Sequence, residues 1–164
     1  MSKFASLQAD VSKPFRVFLI DPVTEDFITT VDGKKAYIDV WAADSERGRA
    51  FDKSKRKELM LRIKQSRTGK VEPDDALEEN IAKCVALTDG WFLVDPGTRQ
   101  KIDVGCTEAN AADLYSPPGM GWLFIQPWVE ANKAANFLPK RSPPSTVGQN
   151  GASAATESLG TPAL

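Results

Sequence analysis

Residues 1–13 carry no hydrophobic period and read as a flexible N-terminal arm. The pattern sharpens at residues 15–20, Phe-Arg-Val-Phe-Leu-Ile, whose aromatic and β-branched content predicts a strand. Asp21 and Pro22 end it, because proline has no N–H to give to a ladder. Asp32 and Gly33 signal a turn, and residues 36–41 then alternate. Tyr37, Asp39 and Trp41 fall on one face, and Ala36, Ile38 and Val40 on the other. The two segments predict an antiparallel pair, with residues 27–31 as a candidate short middle strand.

From Asp44 and Ser45, both good N-caps, the period becomes helical and runs to about Arg67. Only Phe51, Leu59 and Ile63 form its apolar stripe, and Thr68-Gly69 supplies a stop. Pro73 suits the first turn of a second helix, where Asp74, Asp75, Glu78 and Glu79 would complement the helix dipole. Leu77, Ile81, Cys84, Val85 and Thr88 give that helix one clean apolar face, and Asp89-Gly90 is expected to end it. Residues 91–94 and 100–104 predict a short second hairpin around Asp95-Pro96-Gly97. Thr107 should cap a short helix that buries Ala111, Leu114 and Tyr115. After the break at residues 116–119, residues 120–135 return to helical spacing with two apolar stripes. Trp122, Ile125 and Val129 lie on one; Phe124, Trp128, Ala131 and Ala135 lie on the other. Pro127 should kink or interrupt this helix.

Residues 139–164 are built from Pro, Ser, Gly, Ala and Thr and predict a disordered tail, since they hold little to bury against the cost of ordering. The predicted class is α+β: an N-terminal antiparallel β-hairpin or small sheet, then a mainly helical bundle with a short second hairpin. A single domain is expected over residues 14–138.

Composition narrows the chemistry. None of the 164 residues is histidine, which excludes a His-based triad and a His-containing zinc site. A net charge of −1 argues against a dedicated nucleic-acid binder. No run is long and apolar enough for a membrane span, and the N-terminus has no secretory apolar core, so the expected address is the cytoplasm. Cys84 and Cys106 lack CxxC spacing and read as reduced packing residues. The basic run Lys53, Lys55, Arg56, Lys57 reads as a solvated helix face balanced by Asp52 and Glu58. The acidic cluster at residues 72–79 could hold a cation, but helix-start charge compensation explains it with less. No catalytic, metal-binding or cofactor-binding residue is expected, and no cofactor. A helix apolar on most of its circumference is buried on several sides or meets a partner. The candidate partner-binding residues are therefore Trp122, Phe124, Ile125, Trp128 and Val129.

The most specific stretch is Cys106-Thr107-Glu108-Ala109-Asn110-Ala111-Ala112-Asp113-Leu114-Tyr115, followed by Trp122-Leu123-Phe124-Ile125-Gln126 and Ala135-Asn136-Phe137-Leu138. With the strand ending in Asp21-Pro22, the hairpin at Asp32-Gly33 and the helix start at Asp44-Ser45-Glu46, it resembles the small tail assembly chaperones of long-tailed bacteriophages. Glu108, Asn110 and Ala111 match that family's Glu-Asn-Ala helix, and Trp122 and Gln126 its Trp-initiated helix. Pro127 departs from the uninterrupted helix of that pattern. The resemblance implies a non-enzymatic chaperone, working in the host cell cytoplasm, that binds the phage tape-measure protein and the tail-tube protein. It leaves self-association open and implies no nucleic-acid or membrane partner. The alternative is a structural virion component: a neck, minor tail or tail-terminator protein.

Overall fold

In the computed structural model, which describes residues 2–141, the first strand pair forms as the alternation dictates. β1 (Phe15–Phe18) runs antiparallel to β2 (Tyr37–Val40), with Phe15 opposite Val40 and Phe18 opposite Tyr37. Ala36, Ile38 and Val40 are fully buried, together with Val17 and Leu19 of the first strand segment. The middle strand expected over residues 27–31 is reduced to two isolated bridges, Ile20 to Phe27 and Thr29 to Lys35. There Ile28 is wedged where β1 and β2 diverge: its N–H donates to the Leu19 carbonyl, and its carbonyl accepts from the Ala36 N–H.

Ser45 caps α1 (Glu46–Gln65), its hydroxyl accepting from the Gly48 N–H. Only Gly48 of this helix is buried. A Cβ there would run into the Ala43 carbonyl, so the close approach of α1 to the chain leaving β2 requires glycine. The second helix starts later than Pro73 suggests. Asp75 is the N-cap of α2 (Ala76–Leu87), accepting from the N–H groups of Leu77 and Glu78, and Pro73 stands just ahead of it.

Asp89-Gly90 does not end α2 in a turn. The helix stops at Leu87, and the chain passes directly into β3 (Thr88–Val94), where Gly90 lies opposite Asp39. The Thr88 hydroxyl makes this abrupt change possible by donating to the Cys84 carbonyl of the last helical turn. β3 pairs antiparallel with both β2 and β4 (Lys101–Ile102), so the two expected hairpins fuse into one sheet of order β1-β2-β3-β4.

Thr107 caps α3 (Glu108–Tyr115) by accepting from the Asn110 N–H. α4 (Gly121–Asn132) follows and runs without a break through Pro127, whose ring is buried. A separate 3-10 turn at Ala134–Asn136 replaces the final helical turn expected to Ala135. Cys84, Val85 and Leu87 of α2, Ala111 and Tyr115 of α3, and Leu123, Phe124 and Ala131 of α4 form the layer that covers the inner face of the sheet. The arm contributes a 3-10 turn at Ala5–Leu7 and one tie, from the Asp10 N–H to the Phe137 carbonyl. Most of the tail expected from Pro139, residues 142–164, lies outside the described residues. Among the described residues no helix is long and apolar enough to cross a membrane.

Candidate protein-binding surface

α4 divides its apolar residues between two environments. Phe124 is buried, stacked on Trp128 at 5.9 Å between ring centroids and meeting Tyr115 edge-on at 6.0 Å. Trp122 and Trp128 are half-buried against the same core. Ile125 and Val129, one helical turn apart, stand 47% and 49% exposed. The five candidate residues thus separate into three that pack into or against the core and two that face outward.

Three further apolar side chains join those two. Phe18, Ile20 and Phe27 are 42%, 42% and 46% exposed. With Phe15, Val17, Ile125 and Val129 they line a groove of about 460 Å³ between β1 and α4. Grouped apolar exposure of this kind marks an interaction site more reliably than single exposed residues do. The sequence carried the signal. In residues 15–20 only Arg16 is polar, so both faces of the strand are apolar, and a one-sided core can bury just Val17 and Leu19.

β1 is also an edge strand. The Leu19 N–H donates to the Ala36 carbonyl, so by the two-residue period Phe15 and Val17 turn their backbone groups toward β2. Arg16, Phe18 and Ile20 therefore turn theirs outward. Ile20 is satisfied by Gln126 of α4, whose side-chain amide accepts from the Ile20 N–H and donates to the Ile20 carbonyl, both at 2.9 Å. The amide imitates one peptide unit of a neighbouring strand. Among the described residues, the outward N–H and C=O of Arg16 and Phe18 have no such partner.

On the outer face of the sheet, cations lie over aromatic rings. The Arg16 guanidinium sits 3.6 Å from the Tyr37 ring centroid while binding Asp39 through two hydrogen bonds, and Lys35 sits 4.1 Å from the Phe27 centroid. These contacts bring basic and aromatic residues together in a way their sequence positions do not announce.

Several titratable groups elsewhere are engaged in structural contacts. Arg62 holds Asp74 through two hydrogen bonds of 2.9 and 2.7 Å, which keep that carboxyl below its ordinary pKa. Asp75 is occupied as the α2 cap. Among the described residues, no group of three or more Cys, Asp or Glu side chains is arranged to hold a metal ion. Lys55 pairs with Glu58 and Lys83 with Asp52, so part of the basic run is matched by nearby carboxylates. Both cysteines are free thiols. Burial pushes the Cys84 thiol up to about 12, which leaves it protonated and unreactive at neutral pH. The adjoining Tyr115 hydroxyl is raised by burial too, and it shares a 2.9 Å hydrogen bond with Thr88.

No protein-family model, curated protein or solved structure matches the chain.

Proposed function

We propose that this chain is a non-catalytic, protein-binding domain that acts as a phage tail assembly chaperone in the host cytoplasm, holding the tape-measure or tail-tube protein during tail assembly. The observation that carries the binding role is the apolar strip along the β1–α4 groove, where five large side chains remain between 42% and 49% exposed. Leaving such residues together at the surface costs solubility unless a partner covers them. The identity of the client comes from the resemblance of residues 15–138, most specific over 106–138, to that chaperone family.

Co-expression with the tape-measure protein, followed by affinity capture of the chain, tests the proposal. The wild type should retain the client, and Ile125→Lys with Val129→Lys should release most of it, a loss of tenfold or more in affinity. A wild-type chain that leaves the client uncaptured and tail assembly intact would sink this reading. Mass spectrometry of purified virions separates a chaperone, which should be missing from the particle, from a structural component that stays.

A further inference from the structure

The geometry points to a second copy of this chain as the resident occupant of the β1 edge, joined by antiparallel β1–β1 pairing about a twofold axis through Val17. Three observations carry it.

The first is the ladder. Arg16 and Phe18 each present an unpartnered N–H and C=O to the open edge, separated by one inward-bonded residue. A twofold axis at Val17 sets Arg16 opposite Phe18 of the second copy, and Phe18 opposite its Arg16. Both pairs are of the hydrogen-bonded type, so four backbone hydrogen bonds close at once. The register is bounded on both sides. The next pair outward would join Pro14, which has no N–H, to Ile20, whose two groups Gln126 already holds. Shifting the axis toward Arg16 would oppose two guanidinium groups, and shifting it toward Phe18 would require displacing Gln126. The opposite edge offers no equivalent: β4 is two residues long and carries Lys101 beside Asp103.

The second is cation–aromatic complementarity. Arg16 and Phe18 both lie on the outer face of the sheet, so each cation would meet an aromatic ring across the axis. It would extend the arrangement that Arg16 already makes with Tyr37.

The third is the spacing of the helices. α4 lies over both β1 and β2. With strands about 4.8 Å apart, a helix centred between β1 and β2 stands about 5 Å from the twofold axis, so the two α4 helices stand about 10 Å apart. Side-chain packing between helices occurs at roughly 8–10 Å. The exposed Ile125 and Val129 would fill that seam, while Phe18 and Ile20 cover the other face of the new ladder.

The pairing does not rest on the client reading, and the two compete for one surface: a client that takes Ile125 and Val129 would have to open the dimer. Sedimentation of the purified full-length chain over a concentration series tests it, together with residue-resolved hydrogen exchange. The expected result is twice the single-chain mass, falling to one on dilution, with the Arg16 and Phe18 amides slowed at least tenfold in the dimer. Phe18→Lys, which sets a lysine opposite Arg16 of the second copy, and Ile125→Lys should each give folded monomers with wild-type circular dichroism. A single-chain mass throughout the series overturns the inference, as does a dimer in which those two amides stay unprotected. Client capture by a wild-type chain that stays single would leave the functional proposal standing, and a wild-type dimer that ignores the client even where dilution opens it would sink that proposal alone.

Discussion

Ile125 and Phe124 are neighbours of similar hydrophobicity, yet the fold sets them to opposite tasks. Phe124 packs between Tyr115 and Trp128, so Phe124→Ala removes a ring from a closed layer and should cost about 3–5 kcal/mol. Ile125 faces outward, so Ile125→Lys removes little packing within the chain, and at concentrations too dilute for pairing its effect on unfolding should stay within about 0.5 kcal/mol. Chemical denaturation of the two variants checks the contrast. A large loss of stability in the Ile125 variant would place that side chain in the core and undo the argument for a binding strip. The sequence told that α4 is apolar on two sides, but the two stripes are equally hydrophobic as written. Which stripe meets the sheet is a matter of tertiary contacts such as that of Gln126, whose amide binds Ile20 from 106 residues away, and no local pattern encodes them.

At the level of elements, the caps made the helices legible: Ser45, Asp75 and Thr107 each satisfy at least one first-turn N–H with their own side chain. Strand alternation did the same for residues 36–40, where Ala36, Ile38 and Val40, the small or branched residues of one parity, are all buried. Misreadings arose where a residue with strong turn propensity was overruled by pairing. Gly90 enters β3 because Asp39 of β2 lies opposite it, a partner that a local window does not contain. The link between α1 and α2 depends instead on charge. Arg62, near the end of α1, clasps Asp74, which stands just before the α2 cap, and the hydrogen bonds lower the carboxyl's pKa. A carboxyl whose folded pKa is depressed contributes stability that is fully present above the unfolded value, about 3.9. The contribution disappears as pH falls through the lower folded value. Amide exchange at residues 70–76 should therefore accelerate relative to the sheet as pH drops below about 4, after correction for intrinsic rates. Asp74→Asn should abolish that pH dependence. Equal behaviour of wild type and Asp74→Asn would show that the ion pair does not hold the link.

Across the whole molecule, the decisive contact is β2 against β3. It joins the N-terminal strands to the helical half and turns two separate hairpins into one sheet. Sequence periodicity reveals each strand but not this union, because pairing between distant segments is selected by the three-dimensional fit of the layers above them. Ile38 stands at the centre of that union, opposite Val17 on one side and Trp91 on the other, and it is fully buried. Ile38→Ala should cost about 2–5 kcal/mol, a substantial part of the roughly 5–15 kcal/mol usual for a domain. The loss should appear equally in probes of both halves. Tryptophan fluorescence, to which Trp41 at the end of β2 contributes along with Trp91, Trp122 and Trp128, and the far-ultraviolet dichroism of the helices should shift to one common lower midpoint of denaturation. Were the halves separate units, the dichroism of α3 and α4 would survive after β1 and β2 had melted, and two midpoints would appear. A single transition would also explain why α4 can present a binding strip at all. Its outward residues add little to stability, so their position is fixed by a core whose parts are lost only together.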